Sequence, residues 1–165
     1  MPQIAIREAG GEKDLADLRR LMREYGQHLA SNPSGATSIC LQDYEQELER
    51  LSEKYVVLLL AEVDGVPAGC VALREIPRPE RACEMKRLWV SQDFRGLKLG
   101  RSLVEEALAW ASSQGFEAMY LDTVPAAMPE ANKLYENLGF RPVERYNRNP
   151  IAGVEFFSKQ IPPVR

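Results

Sequence analysis

The chain has 165 residues, 45% of them hydrophobic and 27% charged, with a formal net charge of −3 at neutral pH. That length suits one domain, residues 1–165, with a core of its own and is short of two, and the acidic balance excludes a general nucleic-acid binder, which would be basic over a whole face. No apolar run reaches bilayer-spanning length and the N-terminus lacks the pattern of a signal peptide, so a cytoplasmic chain without a membrane partner is expected.

"QIAIREA" (3–9) alternates as a strand does. "EKDLADLRRLMREYGQHLA" (12–30) sets Leu15, Leu18, Leu21, Met22, Tyr25 and Leu29 on one helical face. "SNPSGATS" (31–38) reads as a flexible connection broken by Pro33 and Gly35. "LQDYEQELERLSEK" (41–54) predicts one acidic helix with Leu41, Tyr44, Leu48 and Leu51 inward.

"YVVLLLAEV" (55–63) and "VPAGCVALRE" (66–75) flank Asp64-Gly65, a pair suited to a type I′ turn because both central residues need positive φ. The strand "CEMKRLWV" (83–90) follows a proline-bearing loop. "DFRGLKLGRSL" (93–103) then leads into a helix that begins near Lys98, buries Leu99, Leu103, Ala107, Leu108 and Trp110, and is capped by Gly115. "EAMYLDT" (117–123) is a strand and "MPEANKLYENL" (128–138) a helix with Pro129 in its first turn and Gly139 as cap. "FRPVERY" (140–146) and "GVEFFSKQI" (153–161) are the last strands, with "PPVR" as a tail. The order β-α-α-β-β-β-α-β-α-β-β describes an α/β or α+β sheet with helices packed on it.

Three scattered cysteines, Cys40, Cys70 and Cys83, fit reduced thiols better than a disulfide framework, and with one histidine and no CxxC no metal site is expected. His28 reads as a boundary residue, and Trp89 and Trp110 as core.

The helix start after the fourth strand offers unpaired N–H groups and the positive end of a helix dipole. Arg95, Lys98 and Arg101 crowd that end, with Lys86 and Arg87 upstream. Cations there oppose the dipole, and an anion between them resolves the conflict. The alternative is a solvated surface loop.

Together, "EMKRLWVSQDFRGLKLGRSLVEEAL" and "ANKLYENLGF" resemble the GNAT family of acyl-CoA-dependent N-acetyltransferases. Arg95, Lys98 and Gly100 fall on the register of its [Q/R]xxGx[G/A] signature, with Lys98 in place of the middle glycine. Ala131, Leu134, Tyr135, Gly139 and Phe140 match AxxLYxxxGF.

The resemblance implies a mixed, mostly antiparallel sheet whose fourth and fifth strands splay apart around acetyl-CoA. It implies pantetheine pairing at Leu88 and Val90, a pyrophosphate on the backbone of Arg95, Gly96, Lys98, Leu99, Gly100 and Arg101, and a further cofactor contact from Asn132. Tyr135 is implied as the donor to the CoA sulfur, the alternative being a core aromatic. Glu84, eleven residues before Arg95, is implied as a general base; the alternatives are a salt-bridged or solvated edge glutamate and a water chain.

The implied reaction moves an acetyl group directly to a primary amine of a small molecule or peptide, without a metal. The rival is a non-catalytic acyl-CoA-binding module. The acceptor wall is implied at residues 25–45 and 146–155, where "YNRNP" offers polar groups and the acidic helix, with Asp43, Glu45, Glu47 and Glu49, would favour a cationic amine, the alternative being a solvated charged face. A homodimer through the late strands is compatible with the sequence.

Overall fold

The computed structural model describes residues 1–31 and 41–162. The expected loop from residue 32 to 38, Cys40, the side chain of Leu41 and the tail from residue 163 lie outside what it describes. The elements run β1 (Ile4–Glu8), α1 (Gly11–Ser31), α2 (Leu41–Glu49), α3 (Leu51–Lys54), β2 (Val57–Val63), β3 (Val66–Ile76) and β4 (Ala82–Val90). After a 3₁₀ turn (Gln92–Phe94) come α4 (Leu99–Ser113), β5 (Ala118–Thr123), α5 (Pro129–Asn137), β6 (Arg141–Pro142) and β7 (Glu155–Gln160).

The strands form one sheet in the order β1-β2-β3-β4-β5-β7-β6. Neighbours are antiparallel except β4 and β5, which run parallel. The Asp64-Gly65 turn has φ of 50° and 80°, as the type I′ hairpin requires. Asp64 also fastens the edge strand: its N–H donates to Gln3 O at 2.8 Å and its carboxylate accepts from Gln3 N at 2.9 Å.

Both faces of the sheet are covered, which explains why β2 is apolar without interruption from Val57 to Ala61. Val57, Leu59 and Ala61 face one core with Leu103, Val104, Ala107 and Ala111 of α4. Leu58 and Leu60 face the other, with Leu18, Leu21 and Met22 of α1 and Tyr44, Leu48 and Leu51 beyond. Gly26 allows α2 its close approach to α1: a Cβ there would stand 2.9 Å from the Tyr44 ring. Gly115 and Gly139, at φ of 82° and 93°, end α4 and α5, and Phe116 and Phe140 return hydrogen bonds to Ala111 O and Tyr135 O, each at 3.0 Å. Cys70 and Cys83 are small core residues, and burial pushes both thiols up to about 12.

Three expectations are corrected. The predicted helix 41–54 breaks at Arg50 (φ −125°, ψ 33°), so Leu51–Lys54 forms a separate turn. The strand predicted over 140–146 shrinks to Arg141–Pro142. Pro142 has no N–H to extend the ladder, and the polar side chains after it reach buried carboxylates instead. Trp110 is half-buried rather than core, with its indole N–H on Glu8 at 3.0 Å.

Two irregularities in β4 open a site. Its pairing with β5 runs from Ala82↔Ala118 to Glu84↔Tyr120 and stops, while both strands continue. On its other side, β3 skips from Cys70↔Trp89 to Ala72↔Lys86, so β4 carries an extra residue there. Arg87, at φ 61°, sits in that bulge. The strands fork, and the backbone edge of β4 beyond Glu84 is left without a strand partner on the β5 side.

Candidate active site

The start of α4 closes one arm of the fork. Lys98 is its N-cap, in the left-handed conformation (φ 59°, ψ 30°), with no side-chain cap and no acidic residue in the first turn. A left-handed L-residue costs roughly 1–2 kcal/mol, and each cation at a helix start costs up to about 1 kcal/mol more. Ser102 is the first residue to return a backbone hydrogen bond, to Lys98 O at 3.1 Å. The N–H groups of the first turn are left for an anion. Arg95, Gly96, Lys98, Leu99 and Gly100 line a cavity of about 370 Å³ here, together with Leu88 and Val90 from the free edge of β4.

A second cavity, about 350 Å³, opens on the other side of the fork. Leu88, Ala127 and Met128 belong to both, so the two cavities adjoin at the fork as arms of one cleft. Tyr135 lines the inner cavity. It is 7% exposed, packs its ring on Phe140 at 5.9 Å and makes no hydrogen bond through its hydroxyl among the described residues. Burial first, then the neighbouring Tyr25 and Asp122, raises its pKa well above the usual tyrosine value, which keeps the hydroxyl protonated.

Polar side chains wall the inner cavity. Asp122 accepts from Asn147 Nδ2 at 2.7 Å and Asn149 Nδ2 at 3.3 Å, and lies 3.8 Å from Lys86 Nζ. Behind it, Glu84 is 0% exposed. Its oxygens accept from Arg74 Nε at 2.6 Å, Tyr146 Oη at 2.5 Å and Asn147 Nδ2 at 3.1 Å. The shortened β6 therefore has a purpose: it releases Tyr146, Asn147 and Asn149 to these two carboxylates.

Several expected residues stand elsewhere than the sequence indicates. Glu84 lines neither cavity; of its two readings, the geometry fits the salt-bridged one. Lys86 and Arg87 do not join the anion loop but line the inner cavity. Arg101 turns to Glu105 at 3.4 Å, and neither it nor Asn132 lines the cleft. Asn132 Oδ1 is nevertheless buried without a hydrogen-bond partner. His28 is no mere boundary residue: it lines the outer cavity, with Nε2 3.3 Å from Ala127 O and its ring against Trp89. Of the acids of α2, Glu45 pairs with Arg23 and Glu47 with Arg87 within the protein. Asp122 and Arg74 were not legible as site residues, since no local motif marks them.

The Glu47–Arg87 pair supports the bulge. Arg87 donates twice to Glu47, at 2.9 Å each, and its guanidinium lies 5.1 Å from the Tyr44 ring. Burial pushes the Glu47 carboxyl up, but the Arg87 hydrogen bond and charge, with Tyr55 and Lys54, outweigh it and hold the group at about 2 instead of 4.5. A depressed carboxylate stabilises fully above its unfolded value and loses that stability as pH falls through the folded one. About 3 kcal/mol should therefore disappear between pH ~4.5 and ~2, read as a falling urea midpoint. In Glu47→Gln this part of the acid dependence should vanish.

A helix start with free N–H groups, beside a forked sheet with a protonated tyrosine at the fork, has the chemistry that suits an extended phosphorylated ligand. Over residues 16–140 the chain matches the Acetyltransferase (GNAT) family, and it belongs to that family. It is 35% identical over 163 residues to an uncharacterized N-acetyltransferase of Schizosaccharomyces pombe, covering 96% of this chain and 95% of that protein. In fold it is similar to a GNAT-family acetyltransferase of Staphylococcus aureus, with a TM-score of 0.77, 20% identity and coverage of 97% and 100% of the two chains. It is also similar to the Salmonella typhimurium protein yncA, solved with its cofactor acetyl-CoA, with a TM-score of 0.68, 18% identity and coverage of 96% and 94%. The resemblance read from the sequence is correct, as is the mixed sheet. Among the described residues, no helix is long and apolar enough to cross a membrane.

Proposed function

We propose that this chain transfers an acetyl group from acetyl-CoA to a primary amine of a small molecule or peptide. The observation that carries the reading is the cleft through the β4–β5 fork, with an anion-ready helix end at one side and Tyr135 inside it. The residues present fit the cosubstrate: the free β4 edge at Leu88 and Val90 suits an extended amide-bearing arm, and the first turn of α4 suits a pyrophosphate.

In this reading the acceptor ammonium gives one proton to Asp122, and through it to solvent. The amine nitrogen bonds to the thioester carbon as the carbon–sulfur bond breaks. Backbone N–H groups of the β4 edge steady the carbonyl oxygen. Tyr135 Oη protonates the departing sulfur and regains its proton from the new amide nitrogen. Acceptor-dependent thiol release from acetyl-CoA tests this. Tight acetyl-CoA binding without turnover on any amine would favour the non-catalytic module instead.

Lys98 gives a further check. In Lys98→Gly the left-handed strain of roughly 1–2 kcal/mol is relieved, offset by about 0.5–1 kcal/mol of extra unfolded-chain freedom, so the melting temperature should hold or rise slightly. Acetyl-CoA affinity should weaken by roughly two- to fivefold at low salt, a difference that screening removes at high salt. Calorimetric titration at two ionic strengths reads this, and an unchanged salt dependence would limit Lys98 to its backbone.

A further inference from the structure

Charge is unevenly spread over the inner cavity. Arg74, Lys86, Arg87 and Arg148 line it against one carboxylate, Asp122. How much of that positive charge is available to a ligand depends on the partners each group already has. Arg87 is committed, with two hydrogen bonds to Glu47. Arg74 gives Nε to Glu84 at 2.6 Å, while its two terminal nitrogens make no hydrogen bond among the described residues. Lys86 stands 3.8 Å from Asp122, longer than a hydrogen bond. Arg148 is exposed at the rim and has no ion pair or hydrogen bond among the described residues. Among the described residues Arg148 alone of the four has no ion pair, while Lys86 and the terminal nitrogens of Arg74 keep hydrogen-bond capacity for a ligand beside the one carboxylate, Asp122.

A polycationic amine is badly matched to this wall. Like charges repel, so a second ammonium near this wall is disfavoured, and Glu45 and Glu47 of α2, which would offset this, are paired with Arg23 and Arg87. Resting on the acetyl-transfer reading, we infer that the acceptor is an amine of the amino-acid class, carrying a carboxylate a few bonds from its amino group. The ammonium lies on Asp122, beside Tyr135. The carboxylate lies toward Lys86, Arg148 and the free end of Arg74. The short Lys86–Asp122 spacing matches an amine and a carboxylate on one carbon.

The test compares thiol release with free L-amino acids, the primary amides of the same amino acids, and spermidine, alongside calorimetric titration of acetyl-CoA. Each amide keeps the amine and cancels the carboxylate charge. The acids should exceed their amides in kcat/KM by about ten- to a hundredfold, mostly through KM. In Arg148→Gln and Lys86→Met that ratio should fall by about tenfold toward one, and Arg148→Lys should restore part of it. Amides or spermidine turned over as well as the acids would overturn the inference and leave acetyl transfer standing, as would a ratio that neither variant changes. Acetyl-CoA binding with no turnover of any of these amines would overturn the inference, and the same result on a wider amine panel would remove acetyl transfer as well.

Discussion

Tyr135→Phe should lower kcat for acceptor-dependent thiol release by about a hundredfold, the usual scale for a lost general acid, while leaving the thermal midpoint within about a degree. The two expectations come from different parts of the side chain. The ring is core: it is 7% exposed and packs edge-on against Phe140, and phenylalanine keeps that contact. The hydroxyl has no hydrogen-bond partner among the described residues, so removing it strands no buried group. It lines the inner cavity next to Leu88, where the two arms of the cleft join. Burial holds its proton in place at neutral pH, so it can donate to a thiolate without itself being ionised first. Acetyl-CoA affinity should change little, because the α4 end and the β4 edge are untouched. Wild-type turnover in Tyr135→Phe would reduce this residue to packing.

The proposed cofactor arm was more legible than the proposed acceptor arm for a physical reason. A hairpin turn, a glycine cap and an anion-binding helix start are each built from residues close in sequence, so Asp64-Gly65, Gly115 and the stretch from Arg95 to Arg101 carry their own local pattern. The acceptor wall is assembled from β3, β4, β5 and the segment after β6, and Asn147 reaches partners 25 and 63 residues away. No spacing rule records such contacts. The bulge was hidden too, because its left-handed residue is Arg87 rather than a glycine. The acids of α2 were misleading for the same reason: Glu47 reads as a solvated or substrate-facing charge until the fold brings Arg87 to it from 40 residues away. "FRPVERY" predicted a strand because only its own alternation was visible, whereas the buried carboxylate of Glu84 and the cavity-lining one of Asp122 draw the chain off the sheet.

Glu84 offers the largest expected effect on stability. It is 0% exposed, and both of its oxygens are engaged, by Arg74 on one side and by Tyr146 and Asn147 on the other. Glu84→Ala leaves three donors without their acceptor. Breaking a buried pair costs about 3–5 kcal/mol, and because the Arg74 side chain is 35% exposed and can recruit water, the lower end, about 3 kcal/mol, is expected from urea unfolding. Glu84→Gln keeps the shape and separates positioning from proton transfer. Tyr146 can rotate its hydroxyl to accept from the new amide, so the fold should survive with a loss of about 1–2 kcal/mol. If Glu84 acts by holding Asn147 against Asp122, the variant should raise the acceptor KM by roughly tenfold and leave the rise of kcat with pH unchanged. If Glu84 itself removes the proton from the amine, the rise with pH should flatten and KM should stay near wild type. The absence of Glu84 from the cavity wall favours the first outcome, and a flattened profile would return Glu84 to the role of base.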